Sequence, residues 1–180
     1  MSQLSERLAL LDSHVRDVPN FPEPGIVFKD ITPLLSNPVA FKTAIDLMAE
    51  KHANTDIDFI ACPEARGFIW AGPLADRLEA GITLIRKPGK LPSRTIEREY
   101  QLEYGSDVLS IHADAFANKA NPNVLVVDDV LATGGTARTT ADLVSAAGGH
   151  VTAFAMLIEL GHLSGRSLLS NVPITSLLRY

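Results

Sequence analysis

Cysteine is nearly absent: Cys62 is the one thiol in 180 residues. That excludes an intrachain disulfide and a zinc site built on paired cysteines, and it fits a reducing compartment. A catalytic thiol needs a depressed pKa and a nearby base. Cys62 instead closes the apolar run Ile57-Asp58-Phe59-Ile60-Ala61, so a small core residue is expected. No stretch approaches the length of a membrane span, and the first 16 residues mix charges into their apolar positions rather than forming a signal-peptide core. A cytoplasmic protein with no membrane partner is the expectation. Basic charge is in the minority, with 16 Lys and Arg against 21 Asp and Glu and a net charge of −5. No nucleic-acid partner is expected, since such proteins usually carry a basic face. A local cluster of cations and amides can still hold an anion. The five histidines have no ligand spacing and are read as structural or surface groups. Neither the P-loop pattern G-x-x-x-x-G-K-[ST] nor the dinucleotide pattern G-x-G-x-x-G occurs. Internal repeats and low-complexity tracts are also missing, and no lysine follows Lys119.

What remains is the composition of an ordinary globular chain, 46% hydrophobic and 21% charged. Its length suits one domain, or one domain with a small appendage. Leu4, Leu8, Leu11 and Val15 recur at helical spacing and predict a helix over residues 5–15. Three prolines and a glycine predict an extended loop over 18–25, and a short extended piece follows over 26–31. Asn37-Pro38 reads as a helix start, with an N-cap residue and then Pro at the first helical position. Residues 57–62 and 82–85 read as strands, and 67–78 as a helix between them, with a bend allowed at Gly72-Pro73. Residues 88–99 hold two prolines, a glycine and five charges without an apolar period. They predict a long mobile loop, which in a compact domain is usually functional. Residues 100–102 and 108–112 can pair as a hairpin around residues 104–107. A strand over 124–128, a helix over 136–147 stopped by Gly148-Gly149, a strand over 151–160 and an edge strand over 174–178 complete the chain.

This alternation predicts an α/β fold with a central, mainly parallel sheet flanked by helices. Residues 1–35 are expected to form a small N-terminal hood. Residues 36–180 are expected to form the core, with a mobile loop at about 87–105.

The most informative stretch begins at Val124. Four apolar residues, Val124-Leu125-Val126-Val127, read as a buried parallel strand, and Asp128 and Asp129 sit at its carboxyl end. Ala132, Thr133, Gly134, Gly135 and Thr136 make a small loop before an amphipathic helix. Amides at a helix start bind anions, and adjacent carboxylates can accept from sugar hydroxyls, so the order predicts a sugar-phosphate site. In open α/β sheets ligands sit at this end of the strands. Receiver domains also carry adjacent acids after a strand, but there the pair lies on the first strand and a later Lys follows. Here the pair comes late and the later Lys is missing.

The whole run resembles the phosphoribosyl pyrophosphate motif of type I phosphoribosyltransferases. The resemblance implies that Asp128 and Asp129 bind ribose hydroxyls and that Ala132 to Thr136 wrap the 5′-phosphate. Further segments resemble the members that act on adenine: Phe21-Pro22-Glu23-Pro24-Gly25-Ile26-Val27-Phe28-Lys29, Ala65-Arg66-Gly67-Phe68, Leu84-Ile85-Arg86-Lys87-Pro88-Gly89-Lys90 and Leu102-Glu103-Tyr104-Gly105. They keep the family's order from about Val18 to the C-terminus. By resemblance, backbone groups of Val27 and Lys29 read adenine while Phe28 packs on its ring. Arg66, Arg86, Lys87 and Lys90 would then face the pyrophosphate. Glu103 would act as general acid/base, with Arg66 supporting catalysis and Tyr104 helping to close the site. The missing late Lys agrees with adenine, because members acting on 6-oxopurines typically use one to donate to O6.

The implied reaction converts adenine and phosphoribosyl pyrophosphate to AMP and pyrophosphate. Mg²⁺ is implied too, held mainly by substrate phosphates and water rather than directly by the protein. A homodimer is implied, since in this family the loop around Arg86 can reach a neighbouring site. Two other readings stand beside this one: a phosphoribosyltransferase for another purine, and a regulator that keeps the pocket only as a sensor. Lys29 stands where the family often has Arg.

Overall fold

Val124 begins the buried part of β7 (Asn123–Leu131), the middle strand of the computed structural model, which describes residues 2–102, 105–169 and 171–180. These residues form two units, one ending at Leu47 and one beginning at Met48.

In the first unit, α1 (Gln3–Asp12) starts where the Ser2 hydroxyl accepts from the Ser5 amide at 3.2 Å. It begins and ends earlier than the apolar spacing predicts, because Ser2 supplies the cap and the chain turns after Asp12. β1 (Arg16–Pro19) pairs antiparallel with β2 (Val27–Asp30), from Arg16↔Asp30 to Pro19↔Val27. The extended loop expected over 18–25 is therefore corrected. Val18 and Pro19 belong to a strand, and Pro19 is tolerated because β1 is an edge strand of a two-stranded ribbon. The connection closes with Asn20 Oδ1 accepting from the Gly25 amide at 2.9 Å, and Gly25 adopts φ +90°. A short helix that the sequence reading missed, α2 (Thr32–Ser36), follows Asp30, whose carboxylate accepts from the Thr32 amide at 2.9 Å. α3 (Pro38–His52) starts as predicted, with Asn37 Oδ1 accepting from the Val39 and Ala40 amides at 3.0 Å.

The second unit is built on a five-stranded parallel sheet of the described residues. β3 (Phe59–Pro63), β4 (Gly81–Ile85), β7, β8 (His150–Glu159) and β9 (Ile174–Arg179) lie in the order β4-β3-β7-β8-β9. Val124 and Val126 pack in one cluster with Leu143 and Val144 of α5 (Gly135–Ala146). Leu125 and Val127 are equally buried on the opposite face, the side of α4 (Gly67–Leu78). Cover on both faces explains why β7 reads as an unbroken apolar run. Gly67 lets α4 start close to the sheet, since a Cβ there would lie 3.2 Å from the Val127 carbonyl oxygen.

Three expectations are corrected here. β7 continues through the acids to Leu131, held by β8 up to the pair Leu131↔Glu159, so Asp128 and Asp129 lie within the strand. The long loop expected over 88–99 is shorter. β5 (Thr95–Leu102) pairs antiparallel with β6 (Gly105–His112) from Thr95↔His112 to Leu102↔Gly105. Five of the residues in 95–102 are polar, which hid the strand. Ile96 and Tyr100 nevertheless pack on the core cluster, and the backbone ladder does not depend on side-chain polarity. Ser106 and Asp107, expected in the turn, instead pair with Gln101 and Tyr100, and Glu103 and Tyr104 lie outside the described residues. No helix of the described residues is long and apolar enough to cross a membrane.

Candidate active site

The strand order creates the cleft. From β3 the chain moves outward to β4, then crosses back to β7 and outward the other way to β8 and β9. The β3–β7 ladder runs from Phe59↔Val124 to Ala61↔Val126. Beyond it β3 continues beside β4, and β7 continues beside β8. A crevice opens between the carboxyl ends of β3 and β7, which is the topological switch point where α/β sheets bind ligands.

One wall is the turn between β3 and α4, where the Glu64–Ala65 peptide is cis. Arg66 follows, and its Nε lies 2.5 Å from Asp129 Oδ2 on the opposite wall. The Asp129 side chain is 5% exposed and that of Arg66 is 52% exposed, so the carboxylate is fixed while the guanidinium faces the cleft. Asp128 Oδ1 accepts from the Asp129 amide at 2.9 Å. Enclosure pushes the Asp128 carboxyl well above its ordinary range, and the Asp129 charge beside it pushes the same way. Arg66 offsets part of that rise.

Two more cations are paired in the same manner. Arg86 Nε donates to Glu64 Oε2 at 2.7 Å, its guanidinium lies 6.0 Å from the centre of the Phe68 ring, and its backbone bridges to Ser110 of β6. Lys87 Nζ lies 2.9 Å from Asp107 Oδ2. Their hydrogen bond raises the lysine pKa and lowers that of the aspartate. Lys90 follows Gly89, which turns the chain at φ +72°, and the Lys90 carbonyl accepts from Arg86 Nη1 at 3.2 Å. Arg66, Lys87, Asp128, Asp129 and Thr136 line one cleft of 390 Å³, together with Glu64, Ala65, Tyr100, Asp107 and Leu109. Arg66, Arg86 and Lys87 are each held by a carboxylate partner, ready for exchange with a polyanion.

The helix start is built by glycine. Gly134 adopts φ +87° at the N-cap of α5 and supplies no capping side chain. Amides of the first helical turn are then available to an anion, and the helix dipole favours it. Ala132, Thr133 and Gly135 shape the turn around Gly134, and Thr136 faces the cleft. Behind the turn lies Gly165. A Cβ on Gly134 would fall 2.5 Å from the Gly165 carbonyl oxygen, and a Cβ on Gly165 would fall 2.1 Å from that of Ala132.

The remaining predicted residues belong elsewhere. Val27, Phe28 and Lys29 lie on β2 of the first unit. The Phe28 and Phe21 rings meet edge to face at 5.2 Å, and with Val18 and Asp30 they line a separate pocket of 220 Å³. Lys29 Nζ lies 2.6 Å from Asp17 across the ribbon. Glu103 and Tyr104 are outside the described residues. Sequence reasoning missed Glu64, Tyr100, Asp107 and Gly165. An acid two residues before a recognised Arg was a usable signal for Glu64. Asp107 was read only as a turn residue, and nothing local marks Gly165.

A parallel sheet with an acid pair, a glycine-built helix start and paired cations at its switch point defines the phosphoribosyltransferase class. A family model described as the phosphoribosyl transferase domain matches residues 30–172. The adenine phosphoribosyltransferase of Thermobifida fusca is 52% identical over 168 residues, covering 93% of this chain and 94% of that protein. A crystal structure of the Thermoanaerobacter pseudethanolicus adenine phosphoribosyltransferase superposes with a TM-score of 0.91 at 46% identity, covering 96% of this chain and 99% of the other. The Saccharomyces cerevisiae enzyme, solved with an imino-altritol bisphosphate and adenine, gives a TM-score of 0.88 at 36% identity, covering 97% and 99%. The chain belongs to the adenine phosphoribosyltransferases within the type I family.

Proposed function

We propose that this protein joins adenine to phosphoribosyl pyrophosphate, releasing AMP and pyrophosphate. The observation that carries the reading is the Arg66–Asp129 pair spanning the β3–β7 gap, with Asp128 and Thr136 beside it. Asp128 and Asp129 accept from the ribose hydroxyls. The amides and hydroxyls from Ala132 to Thr136 hold the 5′-phosphate. Arg66, Arg86 and Lys87 take the pyrophosphate together with Lys90, the first three giving up their carboxylate partners for phosphate oxygens.

Adenine is the favoured base on two grounds. The relatives carry that specificity in their names, and the yeast relative was solved with adenine bound. No lysine follows Lys119 to donate to an O6 atom. β2 is one strand of a two-stranded ribbon, and the edge turned away from β1 presents backbone donors and acceptors of the kind adenine N1 and N6 require. Val27 and Lys29 supply them, and Phe28 packs against the ring.

In the reaction the purine N9–C1′ bond forms as the C1′–O bond to pyrophosphate breaks. The ribosyl carbon passes through an oxocarbenium-like state, as in glycoside cleavage. Glu103 takes the N9 proton, and Tyr104 helps exclude water from the activated sugar. Among the described residues no group of three or more His, Cys, Asp or Glu could hold a metal ion. The cleft's oxygen donors, Asp128 and Asp129, suit a magnesium that arrives with the substrate phosphates and keeps its waters. Magnesium would supply charge neutralisation for the leaving pyrophosphate.

A homodimer fits the edge strand β4, whose Ile82 and Leu84 are 45% and 40% exposed. A reducing cytoplasm fits the single buried thiol. The test is pyrophosphate release with magnesium and adenine, guanine or hypoxanthine in turn. Adenine should give the highest kcat/KM. Equal or better turnover of guanine overturns the base assignment, and nucleic-acid binding without AMP formation overturns the enzyme reading.

A further inference from the structure

We propose that the segment from Gly161 to Leu169 is a positioning strap for the 5′-phosphate loop, with Gly165 as its contact point and Arg166 as its anchor. The inference rests on the proposed function, because it assigns the phosphate to the turn at Gly134.

The first observation is the backbone contact. A Cβ on Gly165 would meet the Ala132 carbonyl oxygen at 2.1 Å, the Gly134 nitrogen at 2.7 Å and the Thr133 carbonyl carbon at 2.8 Å. All three neighbours are main-chain atoms, which no rotamer change can move aside. The strap and the loop are therefore packed backbone on backbone. The strap's position sets where the Ala132–Gly134 amides point.

The second observation is how the strap is held. The Arg166 guanidinium grips Glu159 twice, with Nη2 to Oε2 at 2.5 Å and Nε to Oε1 at 3.1 Å. Nη1 also donates to the Ile174 carbonyl at 3.2 Å. Glu159 ends β8, is 4% exposed and accepts a further hydrogen bond from Ser176 of β9 at 2.7 Å. The chain is also tied just ahead of both strap and phosphate loop, since the Leu160 amide donates to the Leu131 carbonyl at 2.9 Å. Buried Leu169 pins the far end. β8 and the edge strand β9 thus pass their rigidity through Arg166 to Gly165 and on to the phosphate turn. None of these groups lines the reaction cleft, so their effect should fall on the 5′-phosphate and spare the base.

The test separates that effect from general damage. KM for phosphoribosyl pyrophosphate, KM for adenine, kcat and the dissociation constants of AMP and adenosine are measured for the wild-type chain, Gly165→Ala and Arg166→Lys. Arg166→Lys keeps the charge and loses the two-pronged grip. Both variants should raise KM for phosphoribosyl pyrophosphate and the AMP dissociation constant by about tenfold, the size of loss that small misplacements cause. KM for adenine and adenosine binding should stay within twofold of wild type, by the same argument that the base site is untouched. If Gly165→Ala does not fold, Arg166→Lys decides alone. Equal changes for adenine and phosphoribosyl pyrophosphate, or no change in either, overturn the strap. Failure of the wild-type chain to bind AMP overturns the functional reading and the strap with it.

Discussion

Arg66 Nε stands 2.5 Å from Asp129 Oδ2 and ties the start of α4 to the middle strand of the sheet. Breaking the pair from its two ends should have unequal consequences. Arg66→Ala leaves Asp129 buried beside Asp128 with no counter-charge. That should cost about 2 kcal/mol, below the usual loss for a broken buried pair because Arg66 is half exposed. Asp129→Asn leaves a guanidinium that water can solvate and relieves the repulsion on Asp128. Its stability should stay within about 1 kcal/mol of wild type. Urea unfolding of both variants measures the asymmetry, and equal losses would refute it. Both variants should lose kcat/KM for phosphoribosyl pyrophosphate.

Asp128 should trade stability against activity. Its carboxyl pKa is raised by enclosure and then by the Asp129 charge. A raised acid favours the folded state fully only below its unfolded value near 3.8, and that contribution is lost as pH rises through the folded value. Asp128→Asn removes the enclosed titrating carboxyl, so it should be more stable than wild type at pH 7, with the gap closing as pH falls toward 3.8. Loss of a carboxyl oxygen that accepts from the ribose hydroxyls should lower kcat/KM by roughly 10–100-fold. Thermal melts across that pH range, beside initial rates, check both halves.

Glu159 has the opposite sign. Its hydrogen bond with Arg166, aided by that of Ser176, holds its pKa down to about 2 from an ordinary 4.5. The stabilisation is complete above 4.5 and is lost as pH falls toward 2. Glu159→Gln should lower stability at pH 7 by about 2 kcal/mol, allowing for screening of the partly exposed Arg166. Urea unfolding at pH 7 and at successively lower pH should show the difference between variant and wild type shrinking. A difference that does not change with pH would deny the linkage.

Glu103→Gln isolates the proposed proton transfer. The amide keeps the shape and loses the base, so kcat should fall roughly 10²–10⁴-fold. KM for adenine should change little, because the base contacts are assigned to the hood. Steady-state rates decide, and near wild-type turnover would take Glu103 out of the mechanism.

Cys62 should be chemically silent. Burial, with a smaller push from the Asp128 charge, lifts its thiol pKa to about 12. Iodoacetamide should modify the native protein very slowly at pH 8 and react readily once urea unfolds it. Fast alkylation of the folded enzyme would contradict this placement.

Much of the architecture was legible because its causes are local. The apolar runs at 57–62, 124–127 and 151–160 mark strands covered on both faces, and the run at 82–85 marks an edge strand with one face exposed. Asn37-Pro38 marks a helix start, and Gly148 marks a helix end. Asp128, Asp129 and the turn through Gly134 are neighbours along the chain, so their association needed no long-range information. The hairpin was harder. Residues 95–102 alternate charges with few apolar groups, and only pairing with β6 and the packing of Ile96 and Tyr100 make them a strand.

The sequence by itself determined the strands of the parallel sheet, the start of α3, the end of α5 and the phosphate turn, because spacing, capping and turn chemistry act over a few residues. The tertiary structure alone decided which charges meet. Asp129 faces Arg66 because β7 lies beside β3, and Asp107 reaches Lys87 because the hairpin packs on the sheet. Gly165 backs Gly134 because β8 and β9 bring the later chain behind the turn. Each contact joins segments far apart in sequence, and strand order, a property of the whole core, brings them together.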